Sequence, residues 1–151
     1  MHPRISGPQQ RVWDVVLDKL DYLRLVDLPK ISDIRGNLSF VEARNHIPFS
    51  IQRAYWIYDV PGGECRGGHA YRELKEFMIS ISGCFDVVVD DGIESRTFSL
   101  NRPYFGLYVP QMIWRKLANF STNAVCLILA SLPYTEEDYI RDYNLFRRLK
   151  V

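Results

Sequence analysis

The sequence predicts an all-β protein, a closed or sandwich-like β-barrel flanked by one helix at each end. Two observations point there. Short runs in which apolar and polar residues alternate, separated by turn residues, recur from about Asn37 to Ser131, the pattern of half-buried strands joined by tight connections. Helical spacing is confined to the two termini, which leaves the strands to build the core among themselves. The aromatic content of 13%, including nine Tyr, agrees with a β-rich fold around a lined cavity.

Taken in order, residues 1–8 are expected to be a loosely attached tail. From Gln9 to about Arg24, the residues Val12, Trp13, Val16, Leu17, Leu20 and Leu23 recur at helical spacing, and Leu28-Pro29 ends that helix because proline cannot continue its interior. Residues 1–27 are therefore assigned to a tail and helix, and 28–151 to a single barrel domain. Asp33-Ile34-Arg35-Gly36 reads as a turn, Asn37–Glu42 as a strand and Ile51–Val60 as a longer one, with Ile51, Arg53, Tyr55 and Ile57 on one face. Pro61-Gly62-Gly63 makes a turn. Glu76–Ser82 and Phe85–Val89 alternate around Gly83, and Asp90-Asp91-Gly92 is a hairpin signal, since Asp-Gly tolerates positive φ. Glu94–Leu100 is the return strand, Leu107–Val109 a short strand and Val125–Ser131 an apolar one. A closing helix is expected with Thr135 as cap, acidic residues at 136–138 and a buried face of Tyr139, Ile140, Tyr143 and Phe146.

Composition narrows the function classes. A net charge of +1 provides no broad electrostatic field for nucleic acid or an anionic membrane. No apolar run is long enough to span a bilayer and no signal peptide is evident. The three cysteines, Cys65, Cys84 and Cys126, are odd in number and lack metal-type spacing, so reduced thiols in a cytoplasmic protein are the expectation.

The chemistry concentrates between Gly63 and Gly83. Gly63 is followed after five residues by His69-Ala70-Tyr71, after four more by Glu76, and after six more by Gly83. On a strand, positions 69 and 71 share a face, and a carboxylate after a turn can return to the same cavity. This spacing resembles the first motif of the cupin barrels, a double-stranded β-helix or jelly-roll fold, with Tyr71 in place of the second histidine. The second cupin motif is matched by Pro110 and Asn119, but Met112 stands where glycine is usual and Arg115 where the ligand histidine is usual. The candidate cage is thus His69, Tyr71, Glu76 and Arg115. A guanidinium repels a cation and a neutral tyrosine is a poor ligand for one, so the expectation is a barrel that works without metal. With Arg53 and Arg66 nearby, the cavity is cationic, and an anionic or phosphorylated ligand would balance it. Trp114 offers a flat surface for a base or sugar.

Further motifs sharpen the resemblance: Arg35-Gly36-Asn37-Leu38; Pro48-Phe49 with Ile51, Arg53 and Tyr55; Arg66-Gly67 with His69-Ala70; Gly106-Leu107-Tyr108 with Pro110; and Asp138 to Tyr143. From about Asp33 to Phe146 the chain resembles the dTDP-4-keto-6-deoxyhexose 3,4-ketoisomerases, the WxcM-like sugar-isomerase cupins. The resemblance implies a homodimer with exchanged N-terminal strands, a dTDP-sugar ligand and no cofactor. It also implies transfer of a keto group from C4 to C3, on the route to 3-amino-3,6-dideoxy sugars of surface polysaccharide such as lipopolysaccharide O-antigen. His69 is then the expected proton carrier, with Tyr55 or Tyr71 sharing the proton traffic. Arg53 and Arg66 would hold the oxyanion or diphosphate, Glu76 would orient His69, Arg35 would lie near the sugar, and Arg115 would add to the binding cations. The family carries His-Ala-His where this chain has His69-Ala70-Tyr71. Two alternatives stay open at this point: a nucleotide-sugar-binding cupin without turnover, and a dTDP-4-keto-sugar epimerase.

Overall fold

The computed structural model describes residues 23–150, so the body of the expected N-terminal helix lies outside the described residues. Twelve strands and one helix follow in order: β1 (Arg24–Asp27), β2 (Lys30–Asp33), β3 (Gly36–Ser39), β4 (Arg53–Ile57), β5 (Arg66–Tyr71), β6 (Glu76–Ser82), β7 (Phe85–Asp90), β8 (Ser95–Leu100), β9 (Phe105–Val109), β10 (Trp114–Ala118), β11 (Val125–Ala130), β12 (Tyr139–Ile140) and α1 (Tyr143–Leu149). They form two five-stranded sheets, ordered β1-β9-β6-β11-β4 and β12-β5-β10-β7-β8, with β2-β3 as a separate hairpin. Every named strand pair is antiparallel. The expected jelly-roll barrel is the observed architecture.

Alternation decides which residues enter it. On β7, Phe85, Val87 and Val89 are buried while Asp86, Val88 and Asp90 are partly exposed. The buried set meets Met78, Leu107, Val109, Cys126 and Ile128 from the other sheet in the main core. The opposite face of the first sheet is also covered: Val26, Phe77, Ile79, Tyr108 and Leu129 pack under Leu28, Ile47 and Phe49. β6 is thus buried on both faces along most of its length, which makes it a rigid support for Glu76 at its start.

A strand stands just after the expected N-terminal helix, and another replaces the start of the closing one. Arg24–Asp27 pairs with β9, from Arg24 opposite Tyr108 to Asp27 opposite Phe105, so the boundary expected at residue 28 falls between two strands. Val26 on β1 and Leu23 just before it are both buried. The closing helix begins at Tyr143, capped by Asp142, which accepts from the Asn144 amide at 2.9 Å. Ahead of it, residues 136–138 form a single 3-10 turn in which Thr135 makes no side-chain cap, and Tyr139–Ile140 pairs with Tyr71 and Ala70 of β5. The open edge of β5 outcompetes helix propensity there. The expected turns hold. Asp90 and Asp91 accept from the amides of residues 92, 93 and 94 around Gly92 at φ 95°.

Candidate active site

Four strands, two from each sheet, supply the polar centre. β5 carries His69 and Tyr71, β10 places Arg115 opposite His69, and β4 and β6 of the other sheet bring Tyr55 and Glu76. Arg115 donates from Nε to Glu76 Oε1 at 2.9 Å and from Nη2 to Oε2 at 3.0 Å, a two-pronged ion pair. Its Nη2 also donates to the Tyr55 hydroxyl at 2.9 Å, and that hydroxyl donates to Glu76 Oε2 at 2.5 Å. Arg115 and Glu76 are 2% and 1% exposed. Pairing and hydrogen bonding are what allow two charges to sit there at all. Arg115 Nη1 reaches the Gly67 carbonyl at 3.3 Å, and a Cβ on Gly67 would lie 2.0 Å from that nitrogen. Gly67 leaves the space the guanidinium fills.

Beside this network sits His69, its ring 4.9 Å from the rings of both Tyr71 and Tyr139. Burial, reinforced by the charges of Arg115 and Arg141 and opposed by Glu136, pushes its imidazolium pKa down to about 2, so the ring is neutral and one nitrogen keeps its lone pair. Burial and the Glu76 carboxylate push the hydroxyls of Tyr55 and Tyr71 above the ordinary tyrosine value. The net effect of Glu76 and Tyr55 on Arg115 outweighs its burial and raises its pKa. His69 Nε2, the Tyr71 hydroxyl and Arg53 Nε are buried without a hydrogen-bond partner among the described residues. Buried polar atoms are rarely left so, and three in one neighbourhood suit a site whose remaining partner is a ligand.

The sequence-derived candidates divide. His69, Tyr71, Tyr55, Glu76 and Arg115 lie together, and Arg53 borders them, its guanidinium 5.0 Å from the Tyr55 ring and 5.6 Å from that of Tyr134. Glu76, however, is held by Arg115 and Tyr55 rather than set to orient His69; aromatic rings flank the histidine instead. Trp114 packs against Tyr143 and Phe146 of α1, because it alternates with Arg115 on β10 and so takes the opposite face. Arg66 is exposed at the start of β5. Arg35 is exposed at the β2-β3 turn, paired with Asp33 at 2.7 Å. Tyr139 and Tyr134 were missed as site residues; the helical reading of their segment hid the pairing of β12 with β5.

The donor set does not fit a divalent metal. Arg115 stands at the position of the missing ligand histidine and occupies both oxygens of Glu76. Among the described residues no group of three His, Cys, Asp or Glu is placed to bind one, and no helix is long and apolar enough to cross a membrane.

A curated relative, TDP-4-oxo-6-deoxy-alpha-D-glucose-3,4-oxoisomerase of Aneurinibacillus thermoaerophilus, is 39% identical over 125 residues, 83% of this chain and 90% of that one. A solved 3,4-ketoisomerase from Helicobacter canadensis superposes with a TM-score of 0.82 at 39% identity, covering 85% of this chain and 96% of its own. The 3,4-ketoisomerase of Thermoanaerobacterium thermosaccharolyticum, crystallised as a His-to-Asn variant with TDP-4-keto-6-deoxyglucose, superposes with a TM-score of 0.83 at 32% identity, covering 85% and 94%. The family model described as FdtA, WxcM-like, C-terminal matches residues 21–151, and the chain belongs to that family.

Proposed function

We propose that this protein is a metal-independent 3,4-ketoisomerase acting on a dTDP-4-keto-6-deoxyhexose. The carrying observation is a neutral, buried His69 with an unpartnered Nε2 beside a Tyr55–Glu76–Arg115 network. The C3 proton of a 4-keto sugar is acidified by the adjacent carbonyl. His69 removes it, and the C–H electron pair moves to the C3–C4 bond as the carbonyl oxygen takes the negative charge. That oxygen is protonated to the enediol. Loss of the proton on O3 and return of a proton to C4 then leave a carbonyl at C3, with the formula unchanged. Arg115 and Arg53 stabilise the enediolate; the Tyr55 hydroxyl, donating within the network, and the Tyr71 hydroxyl share the proton traffic. Burial, and after it the charges of Arg115 and Arg141, hold the basicity of His69 down, and a bound anionic sugar nucleotide would offset those charges.

Leu25, Ile31, Ile34 and Leu38 expose apolar surface along β1 to β3, which supports a homodimer built through this N-terminal region. Exchange there would let Arg35 reach the partner's sugar site, with Arg66 at the rim toward the diphosphate. The product would feed 3-amino-3,6-dideoxy sugars for surface polysaccharide in the cytoplasm.

Proton NMR with dTDP-4-keto-6-deoxyglucose in deuterium oxide tests the reaction. A 3-keto product with deuterium at C4 is expected. Line-broadening of the ligand without product would overturn the isomerase in favour of a binding module, and exchange at C3 and C5 would identify an epimerase.

A further inference from the structure

His69 and Glu76 sit on opposite sides of a short corner. β5 belongs to one sheet and β6 to the other, and residues 72–75 join them. All four backbone N–H groups of that corner are accepted by the C-terminal third of the chain: Arg72 by the Asp138 carbonyl at 2.9 Å, Glu73 by Asp138 Oδ1 at 2.9 Å, Leu74 by Asp138 Oδ2 at 3.1 Å and Lys75 by Ser131 Oγ at 2.8 Å. Asp138 supplies three of these acceptors and is itself buried. The next residue, Tyr139, pairs its backbone with Tyr71 and lays its ring against His69. One carboxylate thus ties together the turn between the two site strands and the segment that covers the histidine.

We propose that Asp138 is a positioning residue of this site: its carboxylate, by gripping the amides of residues 73 and 74, sets His69 at its working distance from the Tyr55–Glu76–Arg115 network. This rests on the ketoisomerase reading of the cluster. Asp138 touches none of the reacting groups and acts through the corner. Misplacement of a catalytic group by about 1 Å is enough to lower a rate about a hundredfold. Arg66 at the far end of β5 and Arg35 on the β2-β3 turn, assigned above to the diphosphate and the sugar, lie outside this corner. A loosened corner therefore lowers kcat more than it raises KM.

Asp138→Asn tests this, since it keeps the size but turns one acceptor into a donor facing an amide N–H. Should it fail to fold, Asp138→Ser, whose hydroxyl can rotate to accept, is measured instead. Two readouts are compared with wild type and with Leu100→Ala, a core truncation on β8 in the main core. The first is kcat and KM for dTDP-4-keto-6-deoxyglucose; kcat is expected to fall about tenfold or more with KM within about threefold. The second is the NMR position of the His69 ring protons in ligand-free protein, shifted by the Tyr71 and Tyr139 rings at 4.9 Å; these signals are expected to move. Leu100→Ala is expected to lower stability while moving neither. Either readout staying at its wild-type value in a folded Asp138 variant overturns the proposal. If the wild-type protein itself turns over nothing, the reaction reading fails, and the ring shifts alone decide whether Asp138 positions His69.

Discussion

At the scale of single residues, Arg115 and Tyr55 of the buried network should behave differently when removed. Arg115→Met removes the only cation gripping Glu76 in that network and leaves a carboxylate buried without compensation, so it should cost about 3–5 kcal/mol of stability. Tyr55→Phe leaves the Arg115–Glu76 ion pair intact and deletes one hydroxyl, so urea unfolding should register only about 0.5–1.5 kcal/mol. Its effect on turnover should be the larger one, about a hundredfold loss if the hydroxyl carries protons to the enediolate. Equal stability losses in the two variants would show that the pair is not what holds the site together. His69→Asn should lower kcat about a hundredfold or more with TDP binding, measured by calorimetry, unchanged. Because His69 in the free protein stays neutral far below the ordinary histidine range, with its pKa near 2, kcat/KM should show no inflection near about 6.5. A bell with its acid limb there would mean that the histidine titrates normally and that its burial is relieved in solution.

At the scale of elements, β5 is the strand on which the site depends, and Gly67 is where it yields to Arg115. Its φ of +76° lies in the left-handed region and its missing Cβ is the space Arg115 fills. Gly67→Ala should therefore lower the melting temperature, with a backbone penalty of about 1–2 kcal/mol, and also reduce turnover by displacing Arg115. Gly62→Ala, where a Cβ meets nothing within 4 Å, should do neither; identical behaviour of the two variants would refute the steric account. Elements also explain what could be read in advance. The spacing of His69, Tyr71 and Glu76 needed only a strand, a turn and a strand, and alternation alone put Arg53 and Tyr55 on a shared face. Tyr139 and Asp138 were hidden because Tyr139, Ile140, Tyr143 and Phe146 fit a helical face as well as they fit a short strand followed by a turn of helix. Periodicity cannot register that β5 has an open edge needing a partner. Trp114 is a different case: with Arg115 placed in the cage, alternation along β10 already puts its neighbour on the opposite face, against α1, and only its aromatic character suggested the site.

At the scale of the whole molecule, the fold buries two histidines and lowers the pKa of each, and its stability should carry their signature. His69 is held down chiefly by burial and then by Arg115 and Arg141. His46 is 1% exposed and accepts the Glu42 backbone N–H at Nδ1 at 2.7 Å, and its burial likewise lowers its pKa against the opposing charge of Glu42. An unfolded chain takes up a proton on each ring as pH falls through about 6.5, while the folded chain leaves His69 neutral across that range and protonates His46 only at lower pH than the unfolded chain does. Acidification thus favours the unfolded state, and stability should decline from about pH 6.5 downward, with no contribution from these groups above it. For His69, whose folded value is near 2, the slope should approach about 1.4 kcal/mol per pH unit, and His46 adds in the same direction. Between about pH 6.5 and 5 the ordinary carboxylates remain charged, so urea unfolding in that window isolates the histidines. His69→Asn should flatten the slope, and His46→Asn should flatten it further although its ring lies in the loop at residues 40–50 rather than at the site. A wild-type stability that is level across that window would mean that the folded protein protonates both rings, and with them the base assigned to the isomerisation.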